Sequence, residues 1–287
     1  MQIGFSSMNT HRQVQPAELA QALEARGFES IWYGEHSQIP VSRESPHPRD
    51  SVLQDPYKNM MDPYVSLTVA AAVTTKLKLG TSVSLLLERE LFSQAKTIMT
   101  IDRLSEGRLH VGVGVGWNQE QFANASSLPW KRRFSALRET VGALRTLWTD
   151  DLPEYHGEMV DFDPVWCDPK PVQPGGPPLH FGAMGPVGLR HTAEWADGWM
   201  PLDLHLKAPA DSIAEMRRRV AECGRDPKRF EISLIVMSKT TPDKLARFRD
   251  MGVDRCLVGA SMTDWDKPDA MLREVDRLAE MIPALAD

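Results

Sequence analysis

The 287-residue sequence predicts an α/β fold whose parallel sheet closes into a barrel, and three observations predict it. Short β-branched, apolar runs alternate with stretches of helical periodicity along the whole chain, the pattern of successive βα units. Eight such runs can be counted, each followed by a helix or a helix-bearing loop. They fit within about 250 residues, the usual size of a (β/α)8 TIM barrel. No internal repeat or low-complexity tract divides the chain, so residues 1–287 read as a single domain. An open doubly wound sheet is the structural alternative.

Each element has a local reason. Gln2 to Ser6 is a short apolar strand. Gln15-Pro16 opens a helix, proline suiting a first turn; Leu19, Ala22 and Leu23 form its apolar stripe and Gly27 ends it. Ser30 to Gly34 is the second strand, followed at once by Glu35 and His36. Residues 37–61, with prolines at 40, 46, 48 and 56, exceed the usual connection length and read as a functional lid, an excursion after strand two. Asp62-Pro63 caps a helix through Thr75. Leu77 to Ser84 is strand three, and Phe92 to Ser105 is a helix ended by Gly107. Strand four starts at Leu109 and runs through Gly112-Val113-Gly114-Val115-Gly116. Lys131 to Trp148 is an amphipathic helix, and proline-rich Asp150 to Pro178 is a second excursion, before strand five. Leu179 to Ala183, Gly198 to Pro201, Glu231 to Met237 and Arg255 to Val258 complete the strands. Helices over Val187 to Ala196, Ala210 to Cys223, Pro242 to Met251 and Ala270 to Ile282 follow them.

Composition narrows the function. A net charge of −6 argues against nucleic acid or an anionic membrane as partner. Cys167, Cys223 and Cys256 lie far apart with no CxxC, a pattern of reduced thiols in a cytoplasmic protein. The chain passes straight into Gln2-Ile3-Gly4-Phe5, so no signal peptide is expected, and no apolar run approaches a membrane span.

In a parallel barrel the chemistry lies at the C-terminal ends of the strands. Those ends bring Ser6, Glu35, His36, Gln38, Ser82, Val83, Trp117, Asn118 and the turn after strand five to one mouth. His36 directly follows a strand, and imidazole exchanges protons near neutrality; a structural hydrogen-bonding role is the alternative. No second histidine or carboxylate stands at metal-ligand spacing around it, so no metal is expected. Gly112, Gly114 and Gly116 strip the side chains from one strand face, either for something bulky against the backbone or for a tight barrel interior. They do not make a dinucleotide fingerprint, because Trp117 and Gln119 stand where its last glycine would be. Gly182-Ala183-Met184-Gly185-Pro186-Val187-Gly188 joins a strand to a helix N-terminus, either a phosphate cradle or an ordinary turn. With no nucleophile elbow or metal set, a cofactor is expected to carry the chemistry.

The segments GFESIWYGEH (27–36), LKLGTSVSLL (77–86), IDRLSEGRLHVGVGVGWNQEQF (101–122), PKPVQPGGPPLHFGAMGP (169–186) and ADGWMP (196–201) resemble the bacterial luciferase-like flavin and deazaflavin oxidoreductases, in the family's order. The resemblance implies a (β/α)8 barrel and a homodimer. In the branch using coenzyme F420, a deazaflavin, it implies a bulge with a cis peptide at Ser82-Val83 behind the ring. It also implies His36 near the reactive centre; His36 and Glu35 are the alternative candidates for the one proton donor. Ser6, Gly114, Val115, Gly116, Asn118 and residues 182–188 would then face the cofactor, and Trp117 and Gln38 the substrate. Trp117 stands where sugar-phosphate dehydrogenases of the branch place a glutamate, which sets the chain apart from them. The expected function is hydride transfer between F420 and a small organic substrate. An FMN-dependent monooxygenase fed by a separate reductase, and a non-catalytic flavin-binding barrel, are the alternatives.

Overall fold

The computed structural model describes residues 1–42, 44–47, 52–260 and 262–285; Pro48 of the long loop lies outside them. In chain order the strands are β1 (Gln2–Ser7), β2 (Ser30–Tyr33), β3 (Lys78–Ser84), β4 (Leu109–Val113), β5 (Tyr155–His156), β6 (Asp161–Phe162), β7 (Leu179–Phe181), β8 (Gly198–Trp199), β9 (Glu231–Ile235) and β10 (Arg255–Gly259). Eight of them close a barrel in the order β1-β2-β3-β4-β7-β8-β9-β10, and every pairing around it is parallel. The helices are α1 (Pro16–Ala25), α2 (Pro63–Val73), α3 (Leu91–Leu104), α4 (Gln119–Ala125), α5 (Arg133–Thr149), α6 (Gly185–Trp195), α7 (Pro209–Glu222), α8 (Pro242–Asp250) and α9 (Pro268–Ala279). The α/β barrel expected from the alternating pattern is therefore the fold.

Local chemistry sets the boundaries. Asp62 caps α2 by accepting the N–H of Tyr64 and Val65, and Glu90 does the same for α3. Three elements escape the sequence pattern: the two-residue strands β5 and β6, which pair inside the second excursion, and α4, too short for a clear periodicity. Strand four is shorter than expected. It ends at Val113, and Gly116 lies beyond it with φ +72°. The three glycines therefore do not share one strand face.

Alternate side chains of each strand point outward to the helices or inward to the barrel axis. Outward, Phe5, Ile31, Val111, Phe181 and Val258 join the main core beneath the helices. Inward, Trp32, Met200 and Leu257 pack with Val83 and Ile235 as a separate apolar layer. Trp32 is fully buried and its indole N–H donates to Ser30 Oγ at 2.7 Å. A Cβ on Gly80 would strike that indole, and one on Gly112 would strike the Thr81 carbonyl and lie 3.0 Å from Met200. At Gly112 the bare backbone serves the tight interior.

Below this layer, at the N-terminal ends of the strands, lies a buried polar floor. Arg255 donates to both oxygens of Glu29 at 2.8 Å, to Glu231 at 3.0 Å, and to Ser233 and Gln2. His110 and His180 meet at 3.2 Å beside Glu231. Ligand-type atoms of His110, His180 and Glu231 thus come within 4.8 Å of one another, which the sequence did not foretell. Glu231 is nevertheless held by a guanidinium that already supplies the positive charge. No helix among the described residues is long and apolar enough to cross a membrane.

Candidate active site

At the opposite, C-terminal end, β3 breaks register with β4 between Thr81 and Ser84, and the Ser82-Val83 peptide is cis, as the resemblance implied. The bulge leaves Val83 partly exposed at the mouth. Two glycines make room for it: a Cβ on Gly114 would lie 2.6 Å from Val83 Cγ2, and one on Gly182 would lie 2.8 Å from Val83 Cγ1. Their bareness clears space for the valine, and any group seated there would meet Val83 itself.

Glu35 underpins this bulge. Its carboxylate accepts from Ser84 Oγ at 2.7 Å, Leu85 N at 2.8 Å and Arg89 Nε at 2.6 Å. Arg89 continues to Asp62 at 2.6 Å and lies over the Tyr64 ring. With both oxygens committed to donors and a guanidinium beside it, Glu35 is a brace. This corrects the expectation that it serves as a proton donor.

His36 stands one residue further on, partly buried, among Tyr57, Trp117 and His47. Its ring centroid is 5.5 Å from that of Tyr57 and 5.7 Å from that of Trp117, both edge-on. His47 closes the group from the long loop, 5.1 Å from Trp117, so the described part of that loop covers the histidine. Nδ1 of His36 lies 2.7 Å from Gln121 Oε1, an acceptor that calls for the ring proton on Nδ1, and Gln121 Nε2 donates to Glu88 Oε2 at 2.8 Å. Nε2 of His36 has no hydrogen-bond partner among the described residues. Burial holds the imidazole pKa below its ordinary value, against the opposing pull of Gln121 and Glu35, while His47 lowers it further. Burial thus favours the neutral ring, and with the proton on Nδ1 the lone pair is on Nε2.

Other expected contacts are redistributed. Gln38 is tied to α4, donating to the Gln121 carbonyl at 2.9 Å and accepting from Asn124, so it holds the helix rather than the pocket. Asn118 spends its carbonyl as the cap of α4, accepting from Gln121 N at 2.9 Å; its buried Nδ2 has no partner among the described residues. Within residues 182–188 the three glycines answer to three causes. Gly182 clears Val83, Gly188 clears Ala183, and Gly185 is exposed with open space and φ +76°. Ala183 is buried, its carbonyl accepting the Trp199 indole N–H at 2.9 Å. α6 starts at Gly185 with Met184 as its cap residue and no capping side chain, so first-turn N–H groups lack side-chain partners. Ser6 lines a cavity of about 440 Å³ at the ends of β1, β9 and β10, with Met237, Ser238, Gly259 and Ala260. A cavity of about 460 Å³ lies at the other end, against Pro178, Asp197 and Glu231; volume alone does not mark the mouth.

A sequence profile described as luciferase-like monooxygenase matches residues 4–247. The chain belongs to the luciferase-like monooxygenase family. An uncharacterised protein of Mycobacterium tuberculosis is 39% identical over 284 residues, covering 97% of this chain and 98% of that protein. The F420-dependent hydroxymycolic acid dehydrogenase of the same organism is 26% identical over 289 residues, covering 98% of this chain and 73% of the enzyme. Among solved structures, an F420-dependent secondary alcohol dehydrogenase in complex with an F420–acetone adduct superimposes with a TM-score of 0.76. It is 20% identical and covers 100% of this chain and 99% of that one, a likeness of fold.

In this luciferase-like chain the sequence did not reveal Gln121 or Glu88. Gln121 sits inside the quoted segment 101–122, but nothing local separates it from a solvent-facing helix residue. Glu88 follows an apolar run, Leu85 to Leu87, and that is the one signal of its partial burial.

Proposed function

We propose that the protein is an F420-dependent oxidoreductase moving a hydride between the deazaflavin and a small organic substrate. The observation that carries this reading is the Val83 bulge, cleared by Gly114 and Gly182 and sharing the barrel mouth with His36. The residues fit the cofactor at three places. Val83 offers an apolar surface to a ring, the start of α6 offers uncapped N–H groups and an open Gly185 to a phosphate, and Asn118 offers an unpartnered buried donor. When bound, the deazaflavin supplies hydride chemistry, since carbon in place of the flavin N5 makes it an obligate hydride carrier.

The chain's own part is positioning and proton management. Glu35 and Arg89 hold the bulge in place. Trp117, Tyr57 and His47 shield His36 from bulk water. His36 takes the proton of the substrate's reacting group at Nε2, or returns it, according to direction. A homodimer belongs to the same reading and is read out by sedimentation. The names of relatives that use F420 support the choice of cofactor, while the family's description keeps FMN as the competitor. Fluorescence titration of the purified protein with F420 and with FMN decides: saturable quenching of F420 alone is expected, and saturation by FMN alone overturns the assignment.

A further inference from the structure

Gln121 is 1% exposed and stands between two titratable side chains, with His36 on one side of its amide and Glu88 on the other. A primary amide presents an acceptor on one side and donors on the other, so the side shown to Glu88 fixes the side shown to His36. An ionised Glu88 is only an acceptor. It takes the amide NH2, leaving Oε1 toward His36, and Oε1 requires a proton on Nδ1. A protonated Glu88 can donate instead to the oxygen of a rotated amide. The NH2 then faces His36 and requires a lone pair on Nδ1, so the imidazole proton resides on Nε2.

We propose that Glu88, acting through the side-chain amide of Gln121, sets which ring nitrogen of His36 carries the proton. Glu88 is a positioning residue: it touches neither substrate nor cofactor. Its meaning for the reaction rests on the proposed role of His36, because the nitrogen left free decides whether Nε2 accepts a proton or donates one. The protons balance. Glu88 takes one from solvent, and the imidazole stays neutral while its single proton moves from Nδ1 to Nε2 by exchange with water.

The surroundings let this happen near neutrality. Burial pushes the Glu88 carboxyl up to about 7; the Gln121 bond and the Arg89 charge pull it down, and Glu35 pushes it further up. Arg89 is spent on Glu35 and Asp62, so no guanidinium of the described residues is bonded to Glu88. Among the described residues, the charged or titratable groups around His36 are Glu35 after β2 and His47 and Tyr57 from the long loop, while burial favours the neutral ring. Glu120 on α4 turns away, accepting from the backbone of Glu44 and Ser45.

The test reads the tautomer directly, in protein without cofactor. Long-range proton–nitrogen correlation spectra of nitrogen-15 histidine-labelled protein are recorded between about pH 5 and about pH 9. In the parent, the His36 proton is expected on Nδ1 at high pH and on Nε2 at low pH, with a midpoint near 7. Glu88→Gln, nearly isosteric and unable to ionise, is expected to hold one tautomer throughout. Gln121→Leu is expected to abolish the switch while Glu88 is retained; should it fail to fold, Glu88→Gln carries the decision. A parent tautomer that never changes, a switch that survives Glu88→Gln, or simple formation of a doubly protonated ring at that midpoint overturns the proposal. F420 titration of the same samples separates the two readings. A switch without cofactor binding rejects the cofactor reading and keeps the relay, and binding without a switch does the reverse.

Discussion

The two ends of the barrel each hold histidine and carboxylate at least partly withdrawn from solvent, and the two clusters behave in opposite ways. At the floor, Arg255 is bonded to Glu29 and Glu231, and the charges are locked. Burial alone would raise Glu29, but Arg255 and Lys78 prevail and bring its pKa to about 2. His180 is pushed down to about 4, chiefly by burial. At the mouth Arg89 is bonded to Glu35 and Asp62, and among the described residues Glu88 is left with an amide. Burial then prevails and Glu88 rises to about 7. The same residue types thus make a rigid foundation where a guanidinium bonds them and a titrating relay where none does.

The largest effect is expected at the mouth. His36→Asn keeps size and some hydrogen bonding but cannot carry a proton near neutral pH. Turnover should fall by roughly two to four orders of magnitude while F420 affinity changes little. If affinity collapses and the single-turnover rate at saturation survives, His36 positions the cofactor and performs no proton transfer.

At the floor, Arg255→Met removes the shared partner of two carboxylates and should cost about 3–5 kcal/mol of unfolding free energy. Glu29 has a folded pKa of about 2 against an ordinary 4.5. Its stabilisation is therefore present above the ordinary value and lost as pH falls toward 2. Urea melts at several acid pH values should show that loss in the parent and a flatter profile in the variant; parallel profiles would remove Arg255 from its place in the comparison.

Gly114→Val probes the bulge at the mouth. Its Cβ would press on Val83, so the variant should lose cofactor binding and also about 1–3 kcal/mol of stability. Binding loss with an unchanged thermal midpoint would mean that the valine enters the cofactor's space directly.

Glu88→Gln should show the opposite pH sign to the floor. A carboxyl whose folded pKa is raised from 4.5 to about 7 contributes stability below the ordinary value that is lost as pH rises through 7. The variant should match the parent near pH 5 and exceed it by about 1–2 kcal/mol above pH 7, after allowance for solvent screening. A variant less stable than the parent above pH 7 would place Glu88 among the locked carboxylates.

The smallest effect concerns the start of α6. Gly185 has φ +76°, a conformation asparagine and aspartate tolerate better than most residues, so the informative pair is Gly185→Asp against Gly185→Asn. The aspartate should weaken F420 by about 1 kcal/mol more than the asparagine does. The dephosphorylated fragment should feel little difference, and equal losses for both ligands would take the phosphate away from this turn.

The sequence by itself determined the barrel, the order of its strands and the position of His36 at a strand's C-terminal end. These follow from signals carried within a few residues: the alternation of β-branched runs with amphipathic stretches, Pro16 and Asp62 opening helices, Gly27 and Gly107 closing them. Residues 182–188 were legible as a strand-to-helix turn for the same reason. Only the tertiary structure decided what each side chain there does. Gly112 answers to Met200 and Thr81, Gly114 and Gly182 to Val83, and no local pattern contains those contacts. Glu35 became a brace because Arg89, 54 positions on, folds back to it. Gln121 reaches His36 across 85 positions and Glu88 across 33, so the relay exists only once α4 and the turn after β3 share one end of the barrel. Periodicity and caps act along the chain, whereas hydrogen-bond partners and burial are set by closure of the barrel, and it is burial that moves a carboxyl to the pKa at which it can work.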